Sequence, residues 1–420
     1  MNPALIPGPG DHVVVWGFGT HGGGAAAARC CQGLGARVTI LEKQPATAFG
    51  PEAAAWPWVV GDGSAEVLQN ADLIIASPAI PPRAWPAAHP PRICPEHLFF
   101  ARHRGPRVLV SGTKGKSTTA RILGCLLGWP VGGNSYDPLL DLYDRHGPDS
   151  GMVCELSSFQ AWYLASRLPT SQGAVLTSLA VDHLDWHPDL DHYHRAKLDL
   201  IASAPVVAAA PETAHRLTGH PGILPPTAWE PALAARSDLD LLGDHNRANA
   251  ALAISLALHL GVSAADVPAR LRAVRPLPHR LQPVPGIAPW TYIDDSIATT
   301  PESAMAAMAA ISGPLAIILG GHDKGADFTR LAAAVAARGA HPLVIGRTGP
   351  RLAGIFADIG HPVSHTETLA KAIVAGRNLL PDGGTLLLSP ACASFDQFRG
   401  FEDRGRQFQA LAALTAPPTA

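Results

Sequence analysis

The sequence predicts an α/β protein of three domains. These are a Rossmann-like N-terminal unit, a central P-loop-type parallel sheet and a C-terminal Rossmann-like α/β unit. Three observations predict it. A short apolar run near the N-terminus ends in a glycine turn and then an alanine-rich segment. Near residue 112 another apolar run ends in a glycine loop with lysine and serine, which opens into a helical segment. Beyond residue 285, apolar runs alternate with alanine-rich helical segments, the pattern of a parallel sheet with crossover helices.

In the first unit, His12-Val-Val-Val-Trp16 reads as a buried strand, followed by Gly17-Phe18-Gly19-Thr20-His-Gly22 and a helix over 25–34. A second strand over 38–42 ends in Glu42, and a third ends at Ser77-Pro78. A glycine turn with an acid about 20 residues on is a nucleotide-binding arrangement, though a tight structural turn uses the same glycines. The proline-dense stretch 81–92 reads as a linker. The expected domains are 1–92, 93–284 and 285–420.

The second unit opens with Val108 to Ser111, then Gly112-Thr113-Lys114-Gly115-Lys116-Ser117-Thr118. Glycines let backbone N–H groups turn toward phosphate oxygens, and the helix start adds partial positive charge. Lys116 can reach the β/γ-phosphates and Ser117 can ligate Mg²⁺. The match is incomplete, because Val110 stands at the usual first glycine, and a lysine-bearing turn is the alternative.

Glu155, after a short apolar run, can ligate a phosphate-held Mg²⁺ or be an acid near a helix cap. Asp182-His183-Leu-Asp185-Trp-His187, with His194 and Lys197 beyond, suggests metal or acid–base work. Asn246 and Asn249 share a helix face and can hold a base or cap the helix. Arg280 suits a phosphate or an ion pair with the neighbouring Asp294-Asp295. Gly320 to Gly325, with Lys324, and Leu388 to Asp396 are loops after buried strands.

The chain has 420 residues, 47% hydrophobic and 16% charged, with net charge -2. That length requires more than one core. The charge offers no basic surface for nucleic acid. No apolar run reaches the ~18 residues of a membrane span, and the N-terminus lacks a secretory pattern. The six cysteines form no C-x-x-C pair and read as reduced thiols, so a cytoplasmic protein is expected.

In their order along the whole chain, these motifs resemble the Mur ligase family of peptidoglycan synthesis, and the segment 388–398 continued by 401–405 resembles its glutamate-adding branch. The resemblance implies ATP-dependent ligation of glutamate to UDP-N-acetylmuramoyl-L-alanine through an acyl phosphate, with D-glutamate the main expectation and L-glutamate the alternative. A catalytically silent nucleotide-binding partner of cell-wall assembly would lack phosphate or metal groups, yet Lys116, Glu155, His183 and Lys197 are present. By resemblance, Gly112 to Thr118, Asn246, Asn249, Arg280 and Asp295 contact ATP. Lys116, His183 and Lys197 are catalytic. Ser117 and Glu155 hold one Mg²⁺, and His183 and a carbamoylated Lys197 hold a second. Gly17, Phe18, Gly19, Thr20, Glu42, Ser77, Pro78 and Asn134 bind the UDP substrate, and Thr299, Lys324, Ser394 and Phe401 bind glutamate. No nucleic-acid or membrane partner is implied, and a monomer is expected. Two departures matter: Ile297 replaces a usual lysine, and Ser178 a usual asparagine.

Overall fold

The computed structural model describes residues 6–19, 22–61, 65–224, 244–275, 277–322 and 325–414. The expected site residues Thr20 and Lys324 lie outside them. Three sheets organise the chain. The first contains β1 (His12–Trp16), β2 (Arg37–Glu42), β3 (Trp58–Val60), β4 (Leu73–Ala76) and β5 (Arg92–Ile93). The second contains β6 (Arg107–Ser111), β7 (Val131–Gly133), β8 (Met152–Glu155), β9 (Gly173–Leu176), β10 (Val207–Ala209) and β11 (Ile223–Leu224). The third contains β12 (Gln282–Val284), β13 (Trp290–Asp294), β14 (Leu315–Gly320), β15 (His341–Ile345), β16 (Ser364–Glu367) and β17 (Gly384–Leu388).

The first sheet has the order β3-β2-β1-β4-β5 and is parallel throughout. Val13, Val14 and Val15 are buried, as expected of a strand covered on both faces. The helix Gly23–Gly33 buries Ala25 to Ala28. Its small side chains allow close packing, and a Cβ on Gly24 would lie 2.4 Å from the Phe18 carbonyl oxygen. The order reverses beside β1, so the glycine turn after β1 and Ser77-Pro78 after β4 open at the same edge. The stretch 81–92 is more than a linker: Pro82–Ala84 forms a 3₁₀ turn, and β5 completes the first sheet.

The second sheet has the order β11-β10-β9-β6-β8-β7, also parallel. Its central strand β6 leads into the 112–118 loop and the helix Lys116–Leu127. The third sheet has the order β12-β13-β17-β14-β15-β16. It differs from the expected parallel sheet at one edge, where β12 runs antiparallel to β13. A short return after residue 284 suffices for that pairing, whereas a parallel partner needs a crossover.

Contacts divide the chain into two compact units: residues 1–239 with 247–274, and residues 240–246 with 275–420. The first unit holds the first two sheets, which share one apolar cluster running from Val13 through Leu98 to Leu176, while Val14, Trp16, Leu41 and Ile74 of the first sheet belong to another. Among the described residues, no helix is long and apolar enough to cross a membrane.

Candidate active site

The phosphate loop is shaped by two glycines. Gly112 has φ 145°, and a Cβ there would lie 2.0 Å from Thr177 Oγ1. Gly115 has φ 87°, caps the helix, and would place a Cβ 2.4 Å from Asn249 Oδ1. Side chains at either position would push the loop off its neighbours. The loop is pinned from the segment just after β9: Thr113 N donates to Ser178 O at 2.7 Å, and Lys114 N to Ser178 Oγ at 2.9 Å. Ser178, atypical at that position, thus anchors the loop through its hydroxyl.

Two lysines converge on the same loop. Lys116 Nζ donates to Thr113 O at 3.1 Å, and Lys197 Nζ to Gly112 O at 2.8 Å. Lys197 comes from the helix Leu190–Ala202 and is 1% exposed. Burial, reinforced by the Lys116 charge, pulls its pKa well below the ordinary lysine value. Tyr193 packs its ring 4.9 Å from Lys197 Nζ and donates to Thr113 Oγ1 at 3.0 Å. Thr118 and Ser117 are buried at the helix start, and the Ser117 carbonyl accepts from Tyr136 Oη at 2.6 Å.

Glu155 ends β8 with no exposed surface. Its Oε1 accepts from Asn134 Nδ2 at 2.9 Å and Ser135 Oγ at 3.0 Å. Its Oε2 is buried and accepts no hydrogen bond among the described residues. A buried carboxylate oxygen left unpaired is costly, so it suits a cation-facing role. His183 has φ 54°, packs edge-on to Phe159 at 4.8 Å, and receives support from Asp182, whose Oδ1 accepts from its amide at 3.0 Å. Burial, with Lys197 and Lys116 nearby, lowers the His183 pKa despite Asp182, so the neutral imidazole prevails at pH 7. Among the described residues, no group of three His, Cys, Asp or Glu side chains stands close enough to enclose a metal ion. A Mg²⁺ bound chiefly through substrate phosphates does not need one.

A cavity of about 500 Å³ lies at the edges of the first two sheets. The expected residues Phe18, Gly19, Ser77, Pro78 and Asn134 line it. Gly17 and Glu42 are not among the lining residues. A Cβ on Gly17 would meet Ser77 Cβ at 2.7 Å, so this glycine serves close packing. The Glu42 carboxylate accepts from Phe18 N at 2.8 Å and Gly19 N at 3.4 Å, fixing the turn from behind.

Sequence reasoning did not assign Glu96 or Gln160, which line the cavity together and bond at 2.7 Å. Within the Asp182–His187 cluster, the structure adds partners that the sequence did not name. His187 is fully buried, with Nε2 3.0 Å from Ser158 Oγ and Nδ1 2.8 Å from His192 Nδ1. Gln160 and His192 lie close to segments already singled out, whereas Glu96 carried no sequence signal.

Asn246 and Asn249 are buried on the helix Asp244–His259. In the second unit, Asp295 is buried and both its oxygens are occupied. Oδ1 accepts from Leu281 N at 3.1 Å and Oδ2 from Ser389 Oγ at 2.7 Å. Burial raises its pKa to about 7 against those two bonds and Arg280. Arg280 is half-buried, and its Nε is enclosed with no hydrogen-bond partner among the described residues. Thr299 is exposed and Ser394 is buried. The Phe401 carbonyl accepts from Ser296 Oγ at 2.8 Å. Arg404 is fully buried and donates to Ser296 and to the Cys392 carbonyl, tying those loops to the helix Phe401–Ala412.

Residues 279–392 match the family model for the Mur ligase glutamate ligase domain. The chain is 32% identical to the UDP-N-acetylmuramoyl-L-alanine–L-glutamate ligase of Micromonospora sp., covering 97% of each chain. It is 33% identical to the UDP-N-acetylmuramoylalanine–D-glutamate ligase of Anaeromyxobacter dehalogenans, covering 97% of this chain and 98% of that one. In fold it is similar to the crystal structure of UDP-N-acetylmuramate-alanine ligase from Thermotoga maritima. That match has TM-score 0.60 and 17% identity, over 95% of this chain and 98% of the other.

Proposed function

The chain belongs to the Mur ligase family, and from that premise we propose that it joins glutamate to UDP-N-acetylmuramoyl-L-alanine at the expense of ATP. The reading places it in cytoplasmic peptidoglycan precursor synthesis, acting as a monomer on small molecules. Its working domains are 1–92 for the UDP substrate, 93–284 for ATP and 285–420 for glutamate. The observation that supports it most is the 112–118 loop, where Lys116 and Lys197 converge and Glu155 presents a buried unpaired oxygen from the next strand.

In this reading a substrate carboxylate oxygen attacks the γ-phosphorus and ADP leaves. The glutamate amine then attacks the acyl carbon, loses a proton, and inorganic phosphate departs. Positioning and charge neutralisation do most of the work. Lys116 swings from Thr113 O onto the transferring phosphoryl oxygens. Ser117 and Glu155 would hold one Mg²⁺, and His183 and Lys197 a second. Bound there, Mg²⁺ would neutralise phosphate charge. The depressed pKa of Lys197 favours its neutral amine, the form that can attack CO₂ to give a carbamate. Ser77, Pro78 and Asn134 position the UDP substrate. Asn246, Asn249, Arg280 and Asp295 serve ATP, Asp295 through the backbone it holds. Thr299, Lys324, Ser394 and Phe401 serve glutamate.

D-glutamate is our main assignment, carried by the 388–398 segment and by relatives named for that isomer. Ile297, in place of a usual lysine, and relatives named for L-glutamate favour the second reading. Phosphate release from ATP with UDP-N-acetylmuramoyl-L-alanine and each isomer tests both. Dependence on D-glutamate supports the first and dependence on L-glutamate the second. Release with neither overturns the glutamate assignment and points to a different acceptor or to the silent nucleotide-binding partner.

A further inference from the structure

Arg280 lies between two residues in the left-handed region, His279 at φ 59° and Leu281 at φ 41°. L-residues avoid that region because Cβ crowds the backbone. A bend with two such residues flanking one arginine must be held by its surroundings. Two adjacent acids hold it. Asp294 Oδ2 lies 2.7 Å from His279 Nδ1, and Asp295 Oδ1 accepts from Leu281 N at 3.1 Å.

Each acid is itself fixed. Asp294 Oδ1 accepts from Ser296 N at 3.0 Å, and its Oδ2 also accepts from Gln409 Nε2 at 2.8 Å. Asp295 Oδ2 accepts from Ser389 Oγ at 2.7 Å. His279 N donates to Gln282 Oε1 at 2.9 Å. The helix Phe401–Ala412 closes the arrangement with Gly405, where a Cβ would lie 2.1 Å from His279 Nδ1 and 2.7 Å from Asp294 Oδ2. Between the two held residues, Arg280 keeps a buried Nε–H with no acceptor among the described residues, which suits an incoming anion.

We propose that Asp294, acting through His279, is a positioning residue for Arg280, and that with Asp295 it forms a two-point clamp presenting the guanidinium to a nucleotide phosphate. The inference rests on the ATP-dependent reading above. Asp294 touches no substrate in this role. Its effect passes entirely through the arginine.

A double-mutant cycle on the full chain tests it, using Asp294→Ala, Arg280→Ala and the pair, with ATP affinity read by calorimetry and KM for ATP by phosphate release. Asp294→Ala is expected to weaken ATP about tenfold when Arg280 is present and less than about twofold when it is absent. Asp294→Asn, which keeps an acceptor for His279, should recover ATP affinity to within about threefold of the parent. Equal losses in both backgrounds would mark Asp294 as merely structural and overturn the clamp. If Asp294→Ala does not fold, Gly405→Ala replaces it, since its methyl presses on the same His279, and the same coupling is expected. Failure of the unsubstituted chain to bind ATP would overturn the functional reading itself, an outcome visible without any variant.

Discussion

Two glycine turns in the first compact unit share one local design and are filled in opposite ways. Both follow a buried parallel strand, and both start a helix behind a glycine in the left-handed region, Gly22 at φ 79° and Gly115 at φ 87°. In the turn after β1, a carboxylate of the protein occupies the amides: Glu42 accepts from Phe18 and Gly19. In the loop after β6, the long side chains reaching in are Lys116 and Lys197, each bonded to a loop carbonyl. The first turn already carries a carboxylate of the protein, whereas the second is met by two amino groups, of which Lys116 can bring charge to an incoming phosphate. A glycine pattern therefore fixes the backbone path, and the neighbouring strand or helix decides what the path can bind.

The sharpest way to break the comparison is Lys116→Ala. Turnover should fall by about 10³-fold or more, as for loss of a group facing transferred phosphoryl charge. Phosphate release measures it, and substantial remaining activity would remove the phosphate-transfer role from the loop. The next test sets the glycines against each other. Gly115→Ala should weaken ATP about tenfold, because its methyl meets Asn249. Gly19→Ala, at φ 66° with nothing within 4 Å of the added Cβ, should cost only ~1–2 kcal/mol of backbone strain. Equal effects in thermal melts and ATP titrations would show that the two turns do not differ as described.

A third pair sharpens the first turn. Glu42→Ala should raise KM for the UDP substrate about tenfold by releasing two amides, and Glu42→Gln, which keeps an acceptor, no more than about threefold. Neither should move KM for ATP. The smallest effect concerns pH. Lys197 has a folded pKa below its ordinary 10.5, so between those values the unfolded chain holds a proton the native state lacks. Stability from this group therefore rises with pH through that window and is lost as pH falls through the folded value. In CO₂-free buffer, the melting temperature of the parent should gain on that of Lys197→Met as pH rises toward 10.5. Parallel curves would mean that Lys197 is not buried as a neutral amine.

Much of this was legible beforehand. The strand His12–Trp16, the phosphate loop and its following helix, and the alternation in the third sheet all follow from apolar runs and glycines, which act over a few residues. The antiparallel edge strand β12 was not legible, because its pairing depends on a partner that local pattern does not name. Nor was the reach of the first sheet into the proline-dense stretch. Within the candidate site, Lys116 and Glu155 stood out by type and position after apolar runs, and Lys197 through the resemblance to the Mur ligases. The supporting groups were less so: Ser178 looked like a simple departure, Glu96 carried no signal, and the partners of His187, Asp294 and Arg404 are seen only in the fold.

The sequence by itself determined the element order, the two glycine turns and the chemistry of the groups that face them. These are local matters of backbone freedom, periodicity and side-chain type. Only the tertiary structure decided which turn already holds a carboxylate, why the Lys197 pKa is pulled down, and how adjacent acids grip the bend around Arg280. Those outcomes depend on burial and on partners tens of residues away, and a linear pattern contains neither.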